Sequence, residues 1–269
     1  MNDLISVQEI VQQLNIIDDT LFQKMAEDIG FCEEMISTIL GKPITVKEVT
    51  PQNSVKNLQG RSGVLDALCV SEDDRQYNVE VQKANDADHQ KRVRYNTSCI
   101  TTNITEPGAK FKNVPHVCSI YISKFDMFQG GKTVYHIDRV VRETGMAVDN
   151  GMQEIYVNTK IDDGTEVAEL MHIFTVQDAY DFEKFPKTSA RKKQFKDHEG
   201  GEEEVCELVE QYAQQVAQQA AKQAADQVKA SAKCFFESGV AYDVVKNAIP
   251  MLSDQELQEI YKLATTVEA

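Results

Sequence analysis

Three short segments of β-forming residues constrain the fold of this chain more than any other feature. They are GVLDALCV at 63–70, QYNVEVQK at 76–83 and HVCSIYI at 116–122. The third segment is almost wholly apolar, which is typical of a strand covered on both faces. Residues 85–104 carry apolar side chains at helical spacing, so a helix is expected to cross over between the second and third strands. This order predicts a mixed α/β layer.

Further segments extend this layer on both sides. Residues 18–40 have apolar residues at three- and four-residue spacing and predict an amphipathic helix or helix pair, broken near Gly30. A β-rich run at 44–49 precedes the first strand, and two more candidate strands lie at 133–141 and 153–160.

The composition changes twice beyond residue 183. A basic stretch gives way to an acidic one, which predicts a charged linker over 184–201. An Ala/Gln-rich run with high helix propensity follows, and the whole of 202–269 is expected to be helical. The chain therefore divides into an α/β domain at 1–183, the linker and a helical tail.

The tail carries two local patterns. Ser253 and Glu256 have the spacing of a helix capping box. The larger apolar residues of the long helix form a narrow stripe, too thin to hold a lone helix against a globular core: Val205, Leu208, Val209, Tyr212, Val216 and Val228. The stripe predicts a homodimer through this helix, and the alternative is a solvated helical spacer.

Charge and hydropathy exclude several classes of protein. The 269 residues include 28 Lys and Arg against 43 Asp and Glu, a formal net charge of -15, so the overall field would not attract nucleic acid. Any phosphate contact must come from a local basic patch or a metal. No apolar run approaches the roughly 20 residues of a membrane span, and no basic residue precedes Lys24. We therefore expect a cytoplasmic protein without membrane contact.

Two carboxylates mark the most informative stretch. Asp66 lies in one predicted strand, and Glu80 and Gln82 lie in the next, with 13 residues between the two acids. Residues 80 and 82 share a strand face because side chains alternate. Two ionised carboxylates side by side repel each other unless a divalent cation neutralises them, and hard oxygen ligands suit magnesium or manganese. The alternative is a pair of acids on a solvated sheet face.

The wider sequence resembles the PD-(D/E)XK nuclease family transposases, also called recombination-promoting nucleases. The resemblance extends from about Asp19 to Tyr212 and is carried by eight ordered blocks: DDTLFQKMAED, GRSGVLDA, YNVEVQ, KRVRYNTS, GAKFKNVPHVCSIYISKFDMF, VYHIDRVVRETG, EIYVNTK and ELMHIF. It implies a restriction-endonuclease-like α/β fold with an α-β-β-β-α-β core. The implied activity is a divalent-metal-dependent DNA endonuclease.

The resemblance also implies roles for individual residues. By position, Asp66 and Glu80 are metal ligands, together with the main-chain carbonyl of Val81. Gln82 takes the place usually held by the motif's lysine, where it could orient the attacking water without carrying charge. Asp19 is a further acid near the metal. The implied ion is Mg2+ or Mn2+.

A local positive set follows the motif in a negative protein. Lys91, Arg92 and Tyr95 lie on the predicted crossover helix, with Arg92 and Tyr95 three residues apart on one face. They are candidates for positioning DNA phosphates, without sequence readout. A solvated helix face is the other interpretation.

Two departures from the family pattern leave other functions open. Val64 stands where relatives carry a second arginine before the aspartate, and Asn96 replaces one of two successive tyrosines. Together with the uncharged Gln82 they would suit a catalytically lapsed relative that binds DNA or protein partners without cutting. A third hypothesis makes the tail the working part and the α/β domain a scaffold.

Overall fold

The computed structural model describes residues 11–55, 63–85, 88–197 and 202–265. Its helices are α1 (Asp19–Met25), α2 (Ile29–Leu40), α3 (His89–Ile104), α4 (Glu166–Thr175), α5 (Pro186–Lys196), α6 (Glu202–Glu237), α7 (Tyr242–Ala248) and α8 (Asp254–Thr265). Its strands are β1 (Val46–Val55), β2 (Gly63–Ser71), β3 (Gln76–Gln82), β4 (Val117–Ser123), β5 (Val134–Ile137), β6 (Val140–Val141), β7 (Met146–Ala147) and β8 (Met152–Asn158). For residues 202–206, 208, 215 and 219 of α6 it describes the backbone alone.

Six of the strands form one mixed sheet in the order β1-β2-β3-β4-β8-β5. The β1–β2, β2–β3 and β8–β5 pairs are antiparallel, whereas β3–β4 and β4–β8 are parallel. Helix α3 makes the crossover between β3 and β4 that a parallel pair requires. The predicted mixed sheet flanked by helices, with its α-β-β-β-α-β order, is confirmed.

Both faces of the central strands are covered. Every residue of β4 is buried, which agrees with its apolar sequence. Leu65 and Leu68 of β2 belong to one buried cluster with Cys99 and Ile100 of α3. This packing holds α3 over the ends of β2 and β3, where the candidate site lies.

The first helical segment is a helix pair, as the apolar spacing predicts. Asp28 separates the two helices, and its Oδ1 accepts the N–H of Phe31 at 2.7 Å, which caps the start of α2. Gly30, near which the break is predicted, is the second residue of α2. Helix α2 ends at Gly41, whose φ of 62° is the left-handed conformation that glycine adopts without steric cost.

The segment predicted as a charged linker, 184–201, contains helix α5. Lys192 and Lys196 are 0% and 4% exposed, so they do not form a solvated charge run. The Lys192 ammonium donates to three main-chain carbonyls around the end of α4, and that of Lys196 to three carbonyls at Val11, Gln12 and Leu14. From composition alone, a lysine is assigned to the surface. Its long aliphatic stem nevertheless allows it to be buried where its ammonium group has hydrogen-bond acceptors.

The chain separates into two compact units, 1–209 and 210–269, and helix α6 contains the boundary. The second unit has a small core of its own, formed by Ala232, Phe236, Val245, Ile249, Leu257 and Ala264. The predicted capping box is present: Ser253 N–H donates to Glu256 Oε2 at 3.1 Å, and Glu256 N–H donates to Ser253 Oγ at 3.3 Å. Over the described residues, the helices are too short or too polar to cross a bilayer.

Candidate active site

The two predicted acids meet where strands β2 and β3 stop pairing. The last paired residues at this end of the ladder are Ala67 and Val79, and continuing the register places Asp66 opposite Glu80. Asp66 Oδ2 accepts the main-chain N–H of Val81 at 2.8 Å. A side chain of β2 therefore satisfies a backbone donor of β3 beyond the point where the ladder ends.

A cleft of about 630 Å³ opens at this point. Its lining brings together every site residue that the sequence predicts: Asp19, Asp66, Glu80, Val81, Gln82, Lys91, Arg92 and Tyr95. It also includes four residues without an assigned role: Gly63, Val64, Asp88 and Asn96. The acids come from the sheet and α1, and the cations come from α3.

Two asparagines hold the Glu80 carboxylate. Glu80 is 8% exposed, and its Oε1 accepts the Nδ2 amides of Asn78 and Asn96, each at 3.1 Å. Sequence reasoning missed Asn78 and saw in Asn96 only a departure from the family pattern. The alternation of Asn78, Glu80 and Gln82 along one strand face is the signal that could have found the first of them.

Glu80 is buried and Asp66 half-buried, which makes their ionised forms costly. Burial raises the pKa of Glu80 to about 7, against the opposing effect of the two amides. Burial and the negative charge of Glu80 also raise the pKa of Asp66 well above its usual range, although the Val81 N–H lowers it. Asp19 raises both pKa values and Arg92 lowers both. The cleft is thus a place where added positive charge is stabilising.

Both the oxygen and the nitrogen of the Gln82 side-chain amide are hydrogen-bonded. Its Oε1 accepts Arg92 Nη1 at 3.2 Å and its Nε2 donates to the Ala84 carbonyl at 2.9 Å. The neighbouring Lys83 does not line the cleft, because its ammonium group is paired with Asp18 at the start of α1. Gln82, and not Lys83, therefore lines the cleft together with the acids.

All three residues that the sequence predicts on α3 line the cleft. Arg92 and Tyr95 both line the cleft, as their spacing predicts, and Lys91 also lines it while pairing with Asp88 at 2.8 Å. Arg94 is exposed and does not line the cleft.

The donor set at the acids suits a hard divalent cation. Within the described residues, no group of three or more His, Cys, Asp and Glu side chains is close enough to hold a metal. Asp66, Glu80 and a main-chain carbonyl are nevertheless the kind of sparse oxygen set that Mg2+ accepts, because this ion retains several waters. Asp66 Oδ1 and Glu80 Oε2 make no hydrogen bond to any described residue, so each acid keeps one oxygen for a ligand.

Comparison with known proteins identifies one family. The family model described as PD-(D/E)XK nuclease family transposase matches residues 29–232. The matched range contains every predicted site residue except Asp19. No curated protein and no solved structure matches the chain significantly.

Proposed function

This chain belongs to the PD-(D/E)XK nuclease family transposases, and from that premise we propose that it is a divalent-metal-dependent DNA endonuclease. The reaction would be hydrolysis of a phosphodiester bond in the cleft between β2, β3 and α3. The proposal extends the family assignment to a metal, a substrate bond and a set of residues.

The observation that carries the proposal is the pairing of Asp66 with Glu80 in a cleft that also contains cations. A buried and a half-buried carboxylate with raised pKa values cost free energy in their ionised forms unless a cation joins them. A surface that only bound DNA would gain nothing from such a pair, because carboxylates repel phosphates. Lys91 and Arg92 supply the local positive charge that a protein of net charge -15 needs to hold DNA there.

The site residues would divide the work between them. Asp66, Glu80 and the main-chain carbonyl of Val81 would hold Mg2+ or Mn2+, with Asp19 close by on α1. When bound, the ion supplies a water of lowered pKa and stabilises negative charge on the phosphate. Gln82 can orient a water through its amide, while Lys91, Arg92 and Tyr95 position the phosphodiester.

The test is incubation of the purified full chain with supercoiled plasmid, with Mg2+, Mn2+ or a chelator. We expect nicking or linearisation that requires the ion and is lost in Asp66→Asn and Glu80→Gln, because each change removes a charged ligand. Glu72→Gln is the matched control, since Glu72 is an exposed acid at the other end of the β2–β3 hairpin. Cutting that survives the chelator, or equal cutting by all variants, would contradict the assignment.

One observation favours a second candidate, a lapsed nuclease that binds DNA or protein partners without cutting. The place of the motif's lysine is held by Gln82, and Lys83 is engaged by Asp18 outside the cleft. Such a protein would retard DNA in a gel without cutting it under any metal condition. The plasmid assay and the gel assay together separate the two candidates.

We also propose that the chain forms a homodimer through α6. The described side chains from 213 to 227 are exposed, and Val216 is 45% exposed. Alanines on this helix would let an identical helix approach closely. Val205 and Leu208, which begin the predicted stripe, lie outside the side chains that the structure describes. A twofold dimer would present two clefts to the two strands of a duplex.

A further inference from the structure

Both side-chain hydrogen bonds to Glu80 go to the same oxygen. Asn78 lies two residues earlier on β3 and so shares the face of Glu80, while Asn96 comes from α3. Their Nδ2 atoms each lie 3.1 Å from Glu80 Oε1. Glu80 Oε2 makes no hydrogen bond within the described part of the chain.

The asparagine on the strand is a costly residue for its position. Asn78 is 0% exposed, and its Oδ1 has no hydrogen-bond partner among the described residues. A buried carbonyl oxygen without a partner destabilises the fold, and a leucine of similar volume would avoid that cost. Packing alone therefore does not account for Asn78, whereas its bond to Glu80 does.

The helix that brings the second asparagine is fixed above the same point of the sheet. Thr97 Oγ1 and Ser119 Oγ are hydrogen-bonded at 2.7 Å, and both residues are buried. Ser119 is paired in register with Asn78 on the neighbouring strand. This contact holds α3 next to β3 and β4. Because Thr97 directly follows Asn96 on α3, the contact also helps to keep the Asn96 amide at Glu80.

We propose that Asn78 and Asn96 are positioning residues for Glu80, which occupy its Oε1 and leave Oε2 as the single oxygen offered to the cation. The inference rests on the proposed metal site. It adds that metal affinity requires the two asparagines as well as the two acids. An amide suits this task because it donates hydrogen bonds at every working pH and brings no charge to compete with the metal.

The experiment uses the full chain and the variants Asn78→Leu and Asn96→Leu, titrated calorimetrically with Mn2+. We expect Mn2+ affinity to fall about ten- to a hundredfold in each, as is typical when a group orienting a metal ligand is removed. Metal-free Asn78→Leu should still unfold in one cooperative transition, because the leucine removes the unpaired Oδ1 along with the bond to Glu80. Asn103→Leu is the matched control, since Asn103 lies on α3 but donates to the Cys99 carbonyl.

A kinetic measurement separates positioning from general damage. In plasmid nicking, the Mn2+ concentration for half-maximal rate should rise in both variants, while the rate at saturating Mn2+ stays near that of the wild type. Wild-type affinity in both asparagine variants would overturn the positioning role and leave the metal site intact. A wild-type protein that binds no Mn2+ would overturn the proposed function and this inference together. If both leucine variants lost their cooperative unfolding transition, the asparagines would be structural and the proposal wrong.

Discussion

The carboxylate of Asp66 accepts the main-chain N–H of Val81 at 2.8 Å, so that an acid of one strand completes the backbone hydrogen bonding of the next. The two strands can then diverge without leaving a buried donor unsatisfied. The bond also restrains the rotamer of Asp66 and leaves its second oxygen without a hydrogen bond to any described residue. One hydrogen bond thus satisfies the backbone donor where the strands stop pairing and orients the Asp66 carboxylate.

The role of Gln82 can be tested by substitution in both directions. Gln82→Ala should lower the nicking rate strongly, because it removes the amide that can orient water and releases Arg92 from its partner. Gln82→Lys should retain or raise the rate, since it adds positive charge beside the two acids. The measurement is the initial rate at saturating Mn2+, and equal rates for all three proteins would show that residue 82 takes no part in the chemistry.

DNA affinity should reside on the cleft side of α3. Arg92→Ala and Lys91→Ala should each weaken binding across sequences, and the slope of log affinity against log salt should decrease by about one unit for each phosphate that is no longer neutralised. Arg94→Ala is the matched control and should leave the slope unchanged, because Arg94 is on the same helix but does not line the cleft. Fluorescence anisotropy at several salt concentrations measures this slope. Unchanged slopes for Arg92→Ala and Lys91→Ala would indicate that both residues belong to a solvated helix face and do not contact phosphates.

The stability of the metal-free protein should fall as the pH rises from 4.5 to about 7. The raised pKa of Glu80 means that the folded state binds the proton more tightly than the unfolded chain does, so this contribution is present at low pH and is lost through that window. Its size is on the order of 3 kcal/mol. In chelator, the melting temperature of Glu80→Gln should lack this part of the pH dependence, and Mn2+ should stabilise the wild type but not the variant. Parallel pH profiles for the two proteins would contradict the prediction.

Self-association through α6 should depend on Val216, an exposed apolar residue of the predicted stripe. Val216→Glu should convert a dimer into a monomer, because two added charges would face each other across a twofold interface. It should also convert double-strand cleavage of plasmid into nicking. Sedimentation of the full chain gives the oligomeric state. Gln218→Glu is the control: Gln218 is exposed on the same helix, but it lies two positions after Val216 and therefore points in nearly the opposite direction. A wild-type chain that sediments as a monomer would leave α6 as a spacer.

Local patterns predict the architecture well in this chain. Strand β4 is found because its residues are apolar on both faces, and the capping box at Ser253 and Glu256 is found because its two members are three residues apart. The meeting of Asp66 and Glu80 also follows from sequence, since one short turn joins their strands. Each of these features depends on neighbours that the sequence itself places close together.

Features that depend on distant partners escape a sequence interpretation. Lys83 is paired with Asp18, 65 residues earlier, and nothing near either residue indicates the other. Helix α5 is missed because its lysines count as surface charge until their carbonyl partners are known. Asn78 is missed because its role depends on the positions of Glu80 and α3 in the folded chain, which the sequence does not reveal.

The two buried lysines of α5 allow the folded state to be detected by chemical modification. An amine-reactive reagent should modify Lys193, which is on the same helix with an exposed side chain, and spare Lys192 and Lys196. Acylation of either buried amine would remove donors from three carbonyls at once, so a chain modified there could not refold to the same structure. Mass mapping of these three neighbouring amines would therefore report, without any substrate, whether a given preparation is native.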